Sequence, residues 1–243
     1  MAKQTWRAGN MVYPLPVVMV SCANKSGEKD IVTVAWTGTV CTNPPMLYIS
    51  LRPERFSYHI IRESGEFVVN LTTRDLQRVC DWCGARSGRD YDKWAECGLT
   101  AAPASKLGIA PVIDESPVNI ECRVVEVKEL GSHHMFLAAV EAVQVDEELL
   151  DERGRLDLGA AGLTAYSHGE YFDLGKQLGS FGYSVRKKPA GEKGRAGGKV
   201  GAGKKAPAAP KKPFSAKKKP VARKPAGSKG SSPKNPRTKR PKR

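Results

Sequence analysis

Apolar and polar residues alternate along much of the first 185 positions, a pattern typical of strands that bury one face. The runs Val17–Ala23 and Ile31–Trp36 flank Asn24–Asp30, whose Asn, Lys, Ser and Gly residues favour a turn. This arrangement predicts an antiparallel hairpin. Further strands are predicted at Met46–Arg52, Glu66–Leu71, Val118–Leu130 and His134–Val145.

Two segments are predicted to be irregular. Residues 37–45 should form a loop, because Gly38, Asn43 and the stiff Pro44–Pro45 pair are typical of chain breaks. A turn containing Gly154 is predicted at Asp151–Arg155.

Two helices are predicted from apolar residues at helical spacing. The first should begin with Ser57 as its N-cap and stop at Gly65, since serine caps helix starts and glycine follows helix ends. The second should cover Asp75–Cys83 and end near Gly84.

The apolar positions shift phase near Val124–Val125, inside a predicted strand. A β-bulge produces such a shift, and bulges bend strands in small closed barrels. The patterns together predict a mainly β fold, a small antiparallel barrel with a few covering α-helices.

Charge divides the chain into two parts. From Arg186 onward there are 22 Lys and Arg residues against one acidic residue, Glu192, which gives this segment a net charge of +21. Subtracting it from the chain's +15 leaves −6 for residues 1–185. The sequence therefore predicts a folded domain over 1–185 and a basic tail over 186–243.

The tail is rich in Lys, Pro, Ala, Gly and Ser and is predicted to be disordered, because it has too little apolar surface to offset the entropy of ordering. Such a segment binds polyanions through counterion release, and nucleic acid is the expected, non-specific partner. The alternatives are an anionic membrane surface, an acidic protein, or a solubilising role with no dedicated partner.

Six cysteines without a secretion signal predict a reduced, cytoplasmic protein, and no apolar run is long enough to predict a transmembrane segment. Cys80 and Cys83 have the spacing of a redox motif but lack its βαβ setting, so free thiols are expected. Without a second C-x-x-C, no metal site is predicted.

Positive charge gathers at the start of the first predicted helix. Arg52 and Arg55 immediately precede Ser57, and a helix start presents unpaired backbone N–H groups. Guanidinium groups and free amides are suitable donors for a phosphate. A phosphate-binding site is therefore predicted here.

Five segments of the chain resemble, in order and spacing, a known family, the FMN-binding split-barrel flavin reductases and their flavoredoxin-like branch. They are Thr33–Tyr58, Ser64–Leu71, Ser87–Trp94, Gly131–Val140 and Ser167–Gly175. The resemblance covers roughly the first 185 residues and implies a split β-barrel, bound FMN and a homodimer in which the partner covers part of the flavin.

The resemblance also implies which residues hold FMN. The backbone of Val34–Thr37 and Ser50–Leu51 should approach the ring, and the helix start should take the phosphate. The alternative is that these Thr and Ser residues are present only because they favour strands and caps. The full set of expected cofactor-binding residues is Thr33, Val34, Ala35, Trp36, Thr37, Ser50, Leu51, Arg52, Arg55, Ser57 and Arg89.

His133 is the one candidate catalytic residue. It falls where related flavin reductases place a histidine beside flavin and nicotinamide, although a surface or capping histidine is the alternative. Ser132 replaces their aspartate, so the resemblance leaves the electron donor open between NAD(P)H and a redox protein.

Two functions are consistent with the sequence. The first is an FMN-dependent oxidoreductase that passes electrons through bound flavin. The second is a nucleic-acid-associated binding protein in which the barrel serves as a carrier for the basic tail.

Overall fold

A computed structural model describes residues 1–186. Their regular elements are β1 Leu15–Pro16, β2 Val18–Ala23, β3 Lys29–Val34, β4 Thr37–Thr42, β5 Pro45–Leu51, α1 Phe56–Ser64, β6 Glu66–Leu71, α2 Gln77–Ala85, α3 Lys93–Cys97, β7 Ala101–Ala102, β8 Val112–Ile113, β9 Val118–Glu129, β10 His134–Val145, β11 Thr164–Ser167 and β12 Glu170–Asp173, with short 3-10 turns at Glu147–Leu149 and Tyr183–Val185.

Seven strands form one antiparallel sheet in the order β3-β2-β6-β9-β10-β5-β4. Only Ala35 and Trp36 separate β3 from β4, the strands at the two ends of this order. The sheet is therefore curled so that its two ends approach each other, as in a split barrel. Two smaller sheets, β1-β11-β12 and β7-β8, complete the β structure.

The interior of the curled sheet is the main hydrophobic core. Val20, Ile49, Phe67 and Phe136 project into it from four strands, and Ile60 covers it from α1; all five are fully buried. Burying a side chain of this size contributes about 1.5–3 kcal/mol. The predicted mainly β barrel with covering helices is confirmed.

The predicted first hairpin is also confirmed. β2 and β3 pair antiparallel, with Val20 opposite Val32. The turn between them closes through the Asn24 N–H, which donates to the Glu28 carbonyl at 3.0 Å, and Gly27 supplies a φ of 85°.

The predicted loop at 37–45 is wrong over most of its length. Residues Thr37–Thr42 form the edge strand β4, and Thr37 lies opposite Ile49 of β5. Alternating β-branched residues favour the strand, while Asn43 and Pro44 make the short turn that follows. The preceding strand ends at Val34, two residues earlier than predicted, as the chain leaves β2.

Helix α1 ends as predicted but begins differently. Gly65 adopts the left-handed conformation that terminates the helix, with a φ of 68°. Ser57, however, is not the N-cap: Arg55 occupies that position, and Ser57 lies fully buried in the first turn. Its hydroxyl donates to Asp30 Oδ2 at 2.5 Å, because the buried carboxylate needs a donor.

Helix α2 lies two residues later than predicted, and α3 was not predicted. Asp92 caps α3 by accepting from the N–H groups of Trp94 and Ala95 at 3.1 and 3.3 Å. A helix of five residues carries too few turns to show a periodic apolar face. Lys93, the first residue of α3, is buried.

The long strands match the prediction closely. β10 has the predicted bounds, and the bulge in β9 occurs at Val125, since Val124 faces Ala138 and Glu126 faces Leu137. The predicted turn at Asp151–Arg155 also forms.

The β11–β12 hairpin was not predicted. Its strands, Thr164–Ser167 and Glu170–Asp173, pair with each other, and β11 also pairs with β1. Strands of four residues show too few alternations to be recognised.

By internal contacts the chain divides into two compact units, Met1–Ser180 and Phe181–Arg243. The predicted disordered, basic tail at 186–243 lies outside the described residues except for Arg186. In the described part of the chain, no helix has the length and apolar character needed to cross a bilayer.

Candidate functional site

A cavity of about 610 Å³, here called the main cavity because most of the predicted site residues line it, lies where the two ends of the curled sheet meet. It has the size expected of a pocket for a drug-sized ligand. Nine of the twelve residues predicted for the site line it, namely Thr33, Val34, Ala35, Trp36, Ser50, Leu51, Arg52, Arg55 and His133.

Aromatic rings form one side of the main cavity. Trp36 and His133 lie parallel, with an interplanar angle of 6° and ring centroids 6.1 Å apart. Tyr166 is tilted against Trp36 at 6.4 Å, and Tyr171 lies 5.7 Å from Tyr166. Such a wall is suited to contact with a flat ring system.

Tyr166 and Tyr171 come from β11 and β12 and were not among the predicted residues. Their only sequence signal is the aromatic pattern around Ser167–Gly175 in the resembling segments. The Tyr171 hydroxyl donates to Asp81 Oδ1 at 2.8 Å. Burial and this carboxylate raise the pKa of Tyr171, so its proton stays in place at neutral pH.

The C-terminal end of α2 forms another side. Gly84 lines the cavity, and a Cβ on it would lie 3.0 Å from Thr33 Cβ, so glycine permits this close approach. The Thr33 hydroxyl donates to the Cys80 carbonyl. Its hydroxyl therefore joins α2 to β3, and Thr33 offers the cavity its backbone and methyl group.

A second cavity, here called the arginine cavity, adjoins the first and shares Val32, Arg52 and Arg55 with it. Arg86 and Arg89 also line it, so four guanidinium groups surround one space. Its charge and the nearby start of α1 suit an anionic group.

The arginines differ in the hydrogen bonds that their side chains already make within the protein. Arg55 Nη1 donates to the Gly84 carbonyl at 3.0 Å, and Arg89 Nη1 donates to the Glu54 carbonyl at 2.9 Å. Arg52 is exposed, and its side chain makes no hydrogen bond or ion pair within residues 1–186. Because each guanidinium has five N–H donors, all three keep donors for a ligand.

A buried ion pair lies beneath the arginine cavity. Lys93 Nζ is 3.0 Å from Asp30 Oδ1, and the two side chains are 3% and 2% exposed. The pair adds no net charge to the cavity, whose positive sign comes from four arginines against one further acidic residue, Glu54. A Cβ at Gly88 would lie 2.5 Å from Asp30 Oδ1, which makes glycine necessary at this wall.

Of the remaining predicted residues, Ser57 and Arg89 line the arginine cavity, and Thr37 lines neither cavity. The Thr37 hydroxyl donates to the Tyr48 carbonyl at 2.6 Å, and its side chain is buried. The Ser57 hydroxyl is occupied by Asp30, as described above. These two hydroxyls therefore stabilise the barrel.

His133 lies between the aromatic wall of the main cavity and the arginines. Burial, Arg52 and Arg55 lower the pKa of His133, so the imidazole is neutral at physiological pH. Ser132 Oγ lies 3.0 Å from His133 Nδ1 and contacts the ring from outside. A neutral imidazole can exchange hydrogen bonds with a ligand without adding charge.

A split barrel whose cavity joins an aromatic wall to a cluster of arginines is a protein built to bind a flat aromatic ligand that carries an anionic group. Residues 10–175 match the family model described as flavin reductase like domain. The chain belongs to this family, and this membership supports a flavin-related oxidoreductase function.

Three comparisons illustrate the relationship. The structure of flavoredoxin from Desulfovibrio vulgaris (Miyazaki F) aligns with a TM-score of 0.71 at 29% identity, covering 76% of this chain and 100% of that one. A flavin reductase of Pseudomonas putida is 29% identical over 147 residues, 60% of this chain and 81% of that protein. A protein of Aeropyrum pernix is 34% identical over 134 residues, which span 55% of this chain and half (50%) of the relative.

Proposed function

We propose that the domain binds FMN, with the ring in the main cavity and the phosphate in the arginine cavity, and acts as a flavin-dependent oxidoreductase. The observation that carries the proposal is the junction of the two cavities at Arg52 and Arg55. A ligand spanning this junction must have a flat ring and an anion a short distance apart, and FMN has both.

Different residues would bind different parts of FMN. Trp36, Tyr166 and Tyr171 give an apolar wall that excludes water from one side of the ring. Backbone groups of Val34 and Leu51, the last residues of β3 and β5, would bind the polar edge of the ring. The arginines neutralise the phosphate.

The bound flavin would supply the hydride or electron transfer itself, and the protein would position and shield it. His133, neutral and next to the ring wall, is proposed to orient the reacting partner through a hydrogen bond. NAD(P)H and a redox protein are the two classes of donor that the proposal admits.

Reconstitution and anaerobic reduction test the proposal. The purified chain is mixed with FMN, freed of excess ligand, and treated anaerobically with NADH, NADPH or a reduced ferredoxin. We expect a retained flavin spectrum that bleaches with at least one donor. A chain that retains no flavin, or whose flavin is reduced no faster than free FMN by any of the three, would contradict the proposal.

We propose further that the active form is a homodimer. A second copy that covers the main cavity would protect reduced flavin from water and oxygen. Sedimentation of the flavin-loaded protein tests this: a loaded monomer at micromolar concentration would contradict it.

The second candidate function concerns the segment 186–243. Its net charge of +21 against −6 for the rest of the chain supports non-specific binding of nucleic acid. In that case the barrel would serve, with or without flavin, as a carrier. Salt-sensitive retention on DNA or RNA that is lost on removal of 186–243 would support this function.

A further inference from the structure

Two cysteines from different helices meet beside the flavin cavity. Cys83 Sγ, near the end of α2, lies 3.9 Å from Cys97 Sγ, the last residue of α3. All six cysteines of the chain are free thiols, as predicted. The pair that meets is not the C-x-x-C pair, because Cys80 lies one turn earlier and hydrogen bonds with Thr72.

The two thiols have different environments. Cys83 is fully buried, whereas Cys97 is half-buried and retains some solvent exposure. The hydrogen bond from Cys83 and the charge of nearby Lys93 favour the Cys97 thiolate, which lowers the pKa of Cys97. The same hydrogen bond, with burial, raises the pKa of Cys83, so the proton shared by the pair stays on Cys83.

Lys93 holds this arrangement in place. Its Nζ donates to the Cys83 carbonyl at 3.0 Å and to the Ile31 carbonyl, which fixes the end of α2 against the start of α3. Cys97 therefore has the features of an attacking cysteine: access, a neighbouring cation and a second thiol within reach.

We propose that Cys97 and Cys83 form a modification site for hydroperoxides, in which Cys97 is oxidised first and Cys83 then closes a disulfide. In the first step the Cys97 sulfur attacks the O–O bond of hydrogen peroxide, the S–O bond forms, and water leaves. In the second step the Cys83 sulfur attacks the Cys97 sulfur, the S–O bond breaks, and a second water carries away the Cys83 proton. The two sulfurs lose two electrons, which reduce the peroxide.

The geometry permits this closure with small movements. A disulfide has an S–S length of about 2.05 Å, so the sulfurs must approach by roughly 1.9 Å. Rotation of the two cysteine side chains about their Cα–Cβ bonds provides this approach while Lys93 keeps the helix ends in place. The oxidant in this proposal is hydrogen peroxide, and the proposed function would supply it. Dioxygen oxidises reduced flavin and is itself reduced to hydrogen peroxide.

Peptide mapping tests the proposal on the full chain. The protein is treated with hydrogen peroxide, free thiols are alkylated at low pH, and trypsin cuts at Arg86, Arg89 and Lys93 between the two cysteines. We expect peptide 79–86, with Cys83, to be cross-linked to peptide 94–106, with Cys97, and the link to disappear on reduction. A Cys80–Cys83 disulfide would instead lie within one peptide, so the two outcomes differ in mass.

Two variants sharpen the test. Cys80→Ser is the matched control and should keep the cross-link. Cys83→Ser removes the second step, so Cys97 should accumulate as a sulfenic acid that dimedone traps. The proposal is overturned if the wild-type cross-link is absent, if Cys97 remains alkylatable, or if Cys97 passes to sulfonic acid without forming the link.

Discussion

The removal of one arginine gives the sharpest test of the phosphate position. Arg52 lines both cavities and is exposed, and its side chain makes no hydrogen bond or ion pair within the described residues. Arg52→Ala therefore removes a ligand donor without leaving a buried group unpaired. Ser57→Ala would be a poorer choice, because the Ser57 hydroxyl holds the buried carboxylate of Asp30.

The expected magnitude follows from the hydrogen bond that is lost. A charge-assisted hydrogen bond contributes about 1.5–3 kcal/mol, which corresponds to a roughly 10- to 150-fold change in Kd. Because Arg52 is exposed and screened by salt, we expect the lower end, about tenfold weaker FMN binding at physiological ionic strength. Riboflavin has no phosphate, and its affinity should change less than about twofold.

Quenching of flavin fluorescence measures both affinities in parallel titrations. Arg78→Ala is the matched control, since Arg78 is an exposed arginine on α2 that lines neither cavity. Equal loss of FMN and riboflavin affinity in Arg52→Ala would refute the reasoning, because Arg52 would then act on the ring or on the fold. A variant that binds FMN as tightly as wild type would place the phosphate elsewhere.

Three further predictions concern the rest of the molecule. Lys93→Met should destabilise the domain by about 3–5 kcal/mol in urea unfolding, because Asp30 would be left as an unpaired buried charge; Lys93→Arg should lose less. Burial alone would raise the pKa of Glu121, but hydrogen bonds from Ser105 and Gln144 lower it to about 2. The stability that the ionised Glu121 contributes is therefore present above its unfolded pKa of about 4.5 and is lost as the pH falls toward 2. Glu121→Gln should lower the free energy of unfolding strongly at pH 7 and little near pH 2. A loss of stability that does not change with pH would contradict this. Deletion of 186–243 should leave the flavin content unchanged and abolish salt-sensitive retention on nucleic acid, whereas undiminished retention would move the binding surface onto the barrel.

The main elements of the fold were predictable because they repeat a local pattern. The apolar run from Met135 to Val140 indicated β10, and the phase shift near Val124–Val125 located the bulge in β9. Elements of five residues or fewer, such as α3 and β12, were missed because they are too short to show periodicity.

The candidate site was predictable where it is built from one continuous stretch. Residues 33–36 and 50–52 lie close in sequence. The strands predicted for this stretch therefore also located the cavity walls that these residues form. Lys93 and Asp30 are distant in the chain, and a lysine among loop residues gives no signal that it will be buried against an aspartate. Tyr171 is likewise brought in by a hairpin far along the chain.

The buried Asp30–Lys93 ion pair also connects the two cavities and the thiol pair structurally. Asp30 accepts from Ser57 in the first turn of α1, and its partner Lys93 donates to the Cys83 carbonyl at the end of α2. One ion pair therefore fixes the helix start beside the arginines, the α2 wall of the main cavity and one member of the thiol pair. Because an unpaired buried charge is costly, these three parts can shift only together, and a change that breaks the pair should alter flavin binding and thiol reactivity in the same variant.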